Sequence, residues 1–134
     1  MAGQDMPFEW HGLETDSNYG SFRWTGPNAR ATIDLPVVFD RDLRFRIHVI
    51  TAIRPIGGVA LSIHGQPIRH RVKQVDGGTF LLEGRLDCAT MAKPDRDFGI
   101  TLDVGETIRP MDISANEDRR WLGLLINWCE LEPL

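Results

Sequence analysis

The stretch Leu43-Arg44-Phe45-Arg46-Ile47-His48-Val49-Ile50-Thr51-Ala52-Ile53 alternates apolar and polar side chains over most of its length. Successive side chains of a strand point to opposite faces, so the odd positions can meet a core while Arg44, Arg46 and His48 look the other way. A helix would scatter these residues around its circumference, and the segment therefore reads as a strand with one buried face. The same pattern follows downstream, where Val59, Leu61 and Ile63 alternate with Ala60, Ser62 and His64. His64-Gly65-Gln66-Pro67 then supplies a turn. The two alternating segments read as a hairpin joined across Arg54-Pro55-Ile56-Gly57-Gly58.

Working outward, further strands are expected at 21–25, 29–35, 68–75, 79–86, 98–104, 107–113 and 120–131, which makes eight or nine in all. Asp76-Gly77-Gly78 is a strong two-strand connector, because glycine accepts a positive φ, and Asp103-Val104-Gly105-Glu106 is a second tight turn. One short helical turn is expected within 88–93, ahead of Pro94. These features define an all-β chain built as an antiparallel β-sandwich. The run Trp121-Leu122-Gly123-Leu124-Leu125-Ile126-Asn127-Trp128 is apolar on both faces, as in a central strand covered on each side or covered on one by an oligomeric partner. Residues 1–18 read as an N-terminal arm, either flexible or docked on the sandwich or a neighbouring subunit, and residues 19–134 as the sandwich domain.

The 134 residues are 42% hydrophobic and 25% charged, which suits one globular domain with its own core and excludes disorder or a fibrous repeat. With 15 Lys and Arg against 19 Asp and Glu, the net charge is −4, so nucleic acid is not an expected partner. No run approaches the ~18 apolar residues of a membrane helix, and Met1 to Trp10 has neither a basic nor an apolar signal region. Cys88 and Cys129 lack CxxC spacing and read as unpaired thiols without zinc.

No nucleotide-binding, zinc-protease or nucleophile-elbow motif is present, so no catalytic residue, metal or cofactor is assigned. The histidines His11, His48, His64 and His70 are dispersed and read as turn or solvent-face residues. An enzymatic alternative would rest on His48 and His64 on adjacent strands, or on the loop acids Glu117 and Asp118. Asp95, Asp97 and Asp112 read as solvated turn formers, although the Asp112 to Asp118 region has the hard oxygen ligands that calcium prefers. The tryptophans carry more information. Four are more than one small core needs, and aromatic faces stack on the apolar faces of sugar rings. Trp10, Trp24 and Trp121 are the candidates for such contact, whereas Trp128 reads as a core or interface residue. Arg44, Arg46, Arg69, His70, Arg71 and Lys73 would form a basic strip if their strands are neighbours, suited to an acidic polysaccharide or an acidic protein.

Tyr19-Gly20-Ser21-Phe22-Arg23-Trp24-Thr25-Gly26-Pro27 and Asp118-Arg119-Arg120-Trp121-Leu122-Gly123 resemble the start and end of a bacterial jelly-roll domain that accompanies glycosyltransferases and polysaccharide-biosynthesis proteins. Leu61-Ser62-Ile63-His64-Gly65-Gln66 matches the strand and turn where such domains carry Asn-Gly, with His64 in place of the Asn. The resemblance implies a jelly-roll-like sandwich similar to carbohydrate-binding modules, without catalysis and with glycan ligands. The candidate binding residues are then Trp10, Tyr19, Arg23, Trp24, Asp118, Arg120 and Trp121, with Arg23 or Arg120 also able to pair with Asp118. The expected partner is a bacterial surface or capsular polysaccharide. The expected setting is the cytoplasm beside a glycosyltransferase, or an attachment component of a phage-like particle. The alternative is a structural assembly protein that forms a homo-oligomer or joins other proteins through its arm, with Phe8 and Trp10 as anchors, and through its last strand.

Overall fold

The computed structural model describes residues 10–11, 14–16, 20–26, 28–35, 40–52, 58–75, 78–91, 98–105, 107–109 and 122–134. They form β1 (Glu14–Asp16), β2 (Gly20–Trp24), β3 (Arg30–Leu35), β4 (Leu43–Ala52), β5 (Ala60–Ile63), β6 (Gln66–Ile68), β7 (His70–Val75), β8 (Thr79–Leu86), α1 (Cys88–Met91), β9 (Phe98–Asp103) and β10 (Leu124–Pro133). Two antiparallel sheets face each other. The larger runs β1-β2-β10-β4-β8-β7 and the smaller β3-β9-β5-β6. The chain is therefore an all-β sandwich, as the alternation in 43–53 requires.

Phe45, Ile47 and Val49 of β4 are fully buried, as are Leu82 and Leu86 of β8, Ile100 and Leu102 of β9, and Leu124 and Ile126 of β10. Each set lies two or four positions apart on its strand, so one face of each sheet is apolar and the two faces meet as a single core. The chain nests its pairings, β2 with β10, β3 with β9, β4 with β8 and β5 with β6, as one long ribbon bent at His64-Gly65. Pairing of β10 with β4 and of β9 with β5 winds that ribbon into the two sheets. At the bend His64 has φ 50° and Gly65 φ 78°, the left-handed pair that a tight two-residue hairpin needs.

Three features differ from the sequence expectation. The 43–53 and 59–63 segments do not form a hairpin, because β4 pairs with β8 and β10 in one sheet while β5 pairs with β6 and β9 in the other. The expected strand 68–75 is divided at Arg69, where the chain leaves the smaller sheet as β6 and enters the larger as β7. In β10, register shifts between Leu125 and Ile126 and between Ile126 and Trp128 mark a bulge. Beyond it Cys129 and Leu131 pack against the core, whereas Trp128 and Glu130 are exposed. The two-sided apolar character therefore holds from Leu122 to Ile126 only. Of the expected 107–113 strand, the described part contributes one bridge, Ile108 to Leu122.

Two glycines are fixed by close approach. A Cβ on Gly84 would stand 2.5 Å from the Arg69 carbonyl oxygen and 2.8 Å from the Phe45 ring, which is where the chain crosses between sheets. A Cβ on Gly123 would stand 2.5 Å from Thr25 Oγ1, the hydroxyl oxygen that accepts the Leu124 N–H at 2.9 Å. Cys88 and Cys129 are free thiols, and burial, helped by the Glu130 charge, pushes the Cys129 thiol up to about 12.

Gly84→Ala is expected to destabilise the fold by about 1–3 kcal/mol through overpacking, read as a lower urea midpoint with unchanged slope. At the end of β9, the Gly105 N–H donates to Asp103 Oδ1 at 2.8 Å and Arg30 Nε to Oδ2 at 3.0 Å. Together they hold the Asp103 carboxyl below its usual range despite opposing desolvation. A depressed carboxylate stabilises the fold above its unfolded-state value of about 3.9 and loses that contribution as pH falls through the folded value. The stability gap between the natural chain and Asp103→Asn should therefore be present at neutral pH and close below about pH 4, as followed by denaturation at a series of pH values.

Candidate functional site

Of the residues singled out in the sequence, Tyr19, Asp118, Arg120 and Trp121 lie outside the described residues, as do Phe8 and the acids Asp95, Asp97, Asp112 and Glu117. The structure brings Trp10 and Arg23 together, with the guanidinium carbon 5.9 Å from the indole ring centre. Trp10 is half-buried against the core, and its indole N–H donates to the Thr32 carbonyl at 3.1 Å. Arg23 donates through Nε and Nη2 to the His11 carbonyl at 2.9 and 2.7 Å. A backbone bridge from Trp10 to Thr25 and the pairing of β1 with β2 complete a strap laid along the sandwich. Trp24 is half-buried on β2, with its backbone opposite Leu125. Trp10 thus fastens one segment of the chain to another, and Arg23 holds the same strap.

Trp128, read from the sequence as a core or interface residue, is the exposed tryptophan among the described residues, with 37% of its surface accessible. The bulge in β10 gives it this position. Its ring stacks on His48 with centroids 5.2 Å apart and planes 25° from parallel. His48 is fixed in turn, since Nδ1 lies 2.9 Å from Asn127 Oδ1 and Nε2 lies 3.0 Å from Thr79 Oγ1. Asn127 Oδ1 can only accept, so Nδ1 carries a proton, and Asn127 Nδ2 donates to the Ser21 carbonyl at 2.8 Å. A surface aromatic pair is therefore anchored to three strands and to the start of β8.

Around it the outer face of the larger sheet is ordered in cross-strand rows, each about 7 Å from the next because two residues separate them along a strand. One row runs Trp128, His48, Leu81, Lys73 across β10, β4, β8 and β7. The next runs Glu130, Arg46, Glu83, Arg71 and alternates in sign, with Arg46 on Glu130 and Arg71 on Glu83 at 2.9 Å. The third runs Glu132, Arg44, Arg85, and its alternation fails, because Arg44 and Arg85 are direct cross-strand neighbours. The expected basic strip thus exists as two groups on β4 and β7, separated by Glu83 and Arg85 of β8. His48 and His64 are not on adjacent strands, since β4 and the β5–β6 turn belong to different sheets.

Beside the third row lies a groove of about 1030 Å³ at the crossing between sheets, bordered by Pro67, Ile68, Arg69 and His70 on one side and by Arg44 and Arg85 on the other. Partial burial lowers the His70 imidazole below its ordinary value, so His70 adds no full charge there at neutral pH. Among the described residues there is no cluster of three or more His, Cys, Asp or Glu side chains able to hold a metal ion, and no helix long and apolar enough to cross a membrane.

No protein-family model, curated protein or solved structure matches the chain. The site is accordingly read from its own geometry. A water-exposed indole, stacked on an imidazole that an amide and a buried hydroxyl hold in place, offers a supported apolar surface on which an amphipathic ring can stack.

His48→Ala removes the hydrogen bonds to Asn127 and Thr79 and the stacking partner of Trp128. The expected loss is about 1–3 kcal/mol of stability, at about 0.5–1.5 kcal/mol per hydrogen bond, measured by chemical denaturation with tryptophan fluorescence as the probe.

Proposed function

We propose that the chain is a non-catalytic carbohydrate-binding module whose binding face is the outer surface of the larger sheet around Trp128. The observation that carries this reading is the solvent-exposed indole held in place by His48, which is itself hydrogen-bonded on both ring nitrogens. Stacking of an aromatic ring on a sugar depends on a surface already presented to water in its bound position, because ordering a mobile side chain on binding would offset the gain. The nested ribbon wound by the β10–β4 and β9–β5 pairings supports the jelly-roll-like reading, and through it the resemblance to domains that accompany glycosyltransferases.

The ligand in this reading is a bacterial surface or capsular polysaccharide, met either beside a glycosyltransferase or from an attachment position on a phage-like particle. Binding is assigned to Trp128, with His48 and Asn127 as the residues that position it, rather than to Trp10, whose indole is engaged with its own chain. That engagement removes Trp10, one of the arm's two anchors with Phe8, from the assembly alternative, which also rests on the last strand.

The test is titration of the purified chain against a panel of bacterial polysaccharides and capsulated cells, together with Trp128→Ala. A partly exposed stack contributes about 0.5–1.5 kcal/mol, so the variant should keep its fold and bind about two- to tenfold more weakly. Unchanged binding by Trp128→Ala would move the site elsewhere. A folded natural chain that binds no polysaccharide in the panel would remove the reading.

A further inference from the structure

We infer that the groove at the crossing between the sheets is an anion subsite that takes the carboxylate of an acidic sugar, a uronate residue of the polysaccharide. This deepens the carbohydrate-binding reading and rests on it. The first observation is the broken alternation of the outer face. The row through Arg46 places opposite charges side by side on four strands, which is what cross-strand neighbours favour. One row away, Arg44 and Arg85 stand directly opposite each other, and like charges in that position are destabilising. Their carboxylate partners lie to the sides, Glu132 at 3.2 Å from Arg44 and Asp42 at 3.6 Å from Arg85, in contacts half open to water. Such exposed pairs hold their members weakly.

The second observation is Arg69. It immediately precedes the His70–Gly84 pair, at the β7 end of the same row, and its side chain is exposed with no ion-pair partner among the described residues. Its backbone is packed close to β8, because the Arg69 carbonyl oxygen stands 2.5 Å from where a Cβ on Gly84 would lie. The groove that Arg69, Arg44 and Arg85 border is thus rimmed by guanidiniums on both sides. Arg71 makes a fourth guanidinium. Glu132, Asp42 and Glu83 pair with Arg44, Arg85 and Arg71, which leaves Arg69 as the one without a carboxylate among the described residues, on a chain whose net charge is −4. Local positive charge on an acidic protein selects an anion at that place and not over the whole surface.

The floor narrows the ligand class. Pro67 and the buried Ile68 border the groove beside the arginines, so the site presents an apolar patch next to planar, forked donors. A uronate ring matches both parts, with C–H groups for the patch and a carboxylate for a bidentate guanidinium. The groove opens on the outer face that carries Trp128, two rows from the Trp128–His48 pair along β4, or about 13 Å at two residues per row. A chain of a few sugars spans that distance.

The experiment uses the full chain with polygalacturonate and alginate as uronate polymers, methyl-esterified polygalacturonate and a neutral glucan as uncharged controls, and polyglutamate as an acidic polymer without sugar. Binding to a uronate polymer should weaken at higher ionic strength, should fall about tenfold or more on methyl esterification, and should fall by a similar factor in Arg69→Ala. Arg85→Glu is the decisive variant, because it restores charge alternation beside Arg44. Its melting temperature should stay level or rise while uronate binding is lost, which separates a missing site from a damaged fold. Equal binding of esterified and free polymer, or unchanged uronate binding in Arg85→Glu, overturns the anion subsite while leaving the Trp128 reading in place. Binding of polyglutamate as tightly as uronate identifies an acidic-protein surface and overturns the assignment to sugar. Binding to neutral glucan alone, or to none of these polymers, also overturns it, the latter together with the carbohydrate reading.

Discussion

A ribbon of nested antiparallel pairs is left with open edges until it is wound, and the pairing of β10 with β4 is what winds it. Strand β10 is hydrogen-bonded on both sides, to β2 along one edge and to β4 along the other. At its buried start the backbone is thereby paired on both sides, as a buried strand requires. The same placement drives Leu124 and Ile126 into the core beside Phe45, Ile47 and Val49. Thr25 and Gly123 secure the entry to this strand, with backbone bonds of 2.8 and 2.9 Å and the Thr25 hydroxyl occupying the volume a Cβ on Gly123 would need. Every cross-strand row on the outer face takes its register from that closure.

The outer face divides into parts with different physical characters. Around Arg46 it is a charge ladder that satisfies itself and contributes solubility with little energetic consequence, because exposed pairs are weak. Around Trp128 it is an aromatic pair held from beneath by hydrogen bonds. At the sheet crossing it is an electrostatically dissatisfied row. A sheet face needs only the first of these to stay soluble, so the other two are where recognition by this fold is sought.

Strand positions and inward faces could be read from the sequence wherever strict alternation persists, as in 43–49, and the turns at His64-Gly65, Gly78 and Gly105 could be read from glycine. Alternation assigns a face, however, and not a partner. It could not place β4 and β5 in separate sheets, since nothing local distinguishes a hairpin from two strands joined across the sandwich. The division at Arg69 was hidden for a related reason: Pro67-Ile68-Arg69-His70-Arg71 keeps a strand-like composition while the backbone changes layers. The exposure of Trp128 was hidden because its apolar surroundings suggest a core, and one inserted residue carries no compositional mark. The signal that could have raised it is the polar Asn127 beside it, followed by the exact inversion of pattern in Glu130 and Glu132.

The β10 bulge makes the face of every later residue a matter of counting parity. Up to Ile126 even positions look inward, and from Cys129 onward odd positions do. Deleting Asn127 would take out the extra residue of the bulge and leave both sets on their present sides, whereas removing a residue from the regular stretch beyond it, Cys129 for instance, would turn Glu130 and Glu132 toward the core and Leu131 toward water. A change of one residue in this strand is therefore absorbed at the bulge alone, and beyond it length changes must come in steps of two to keep each residue on its present face.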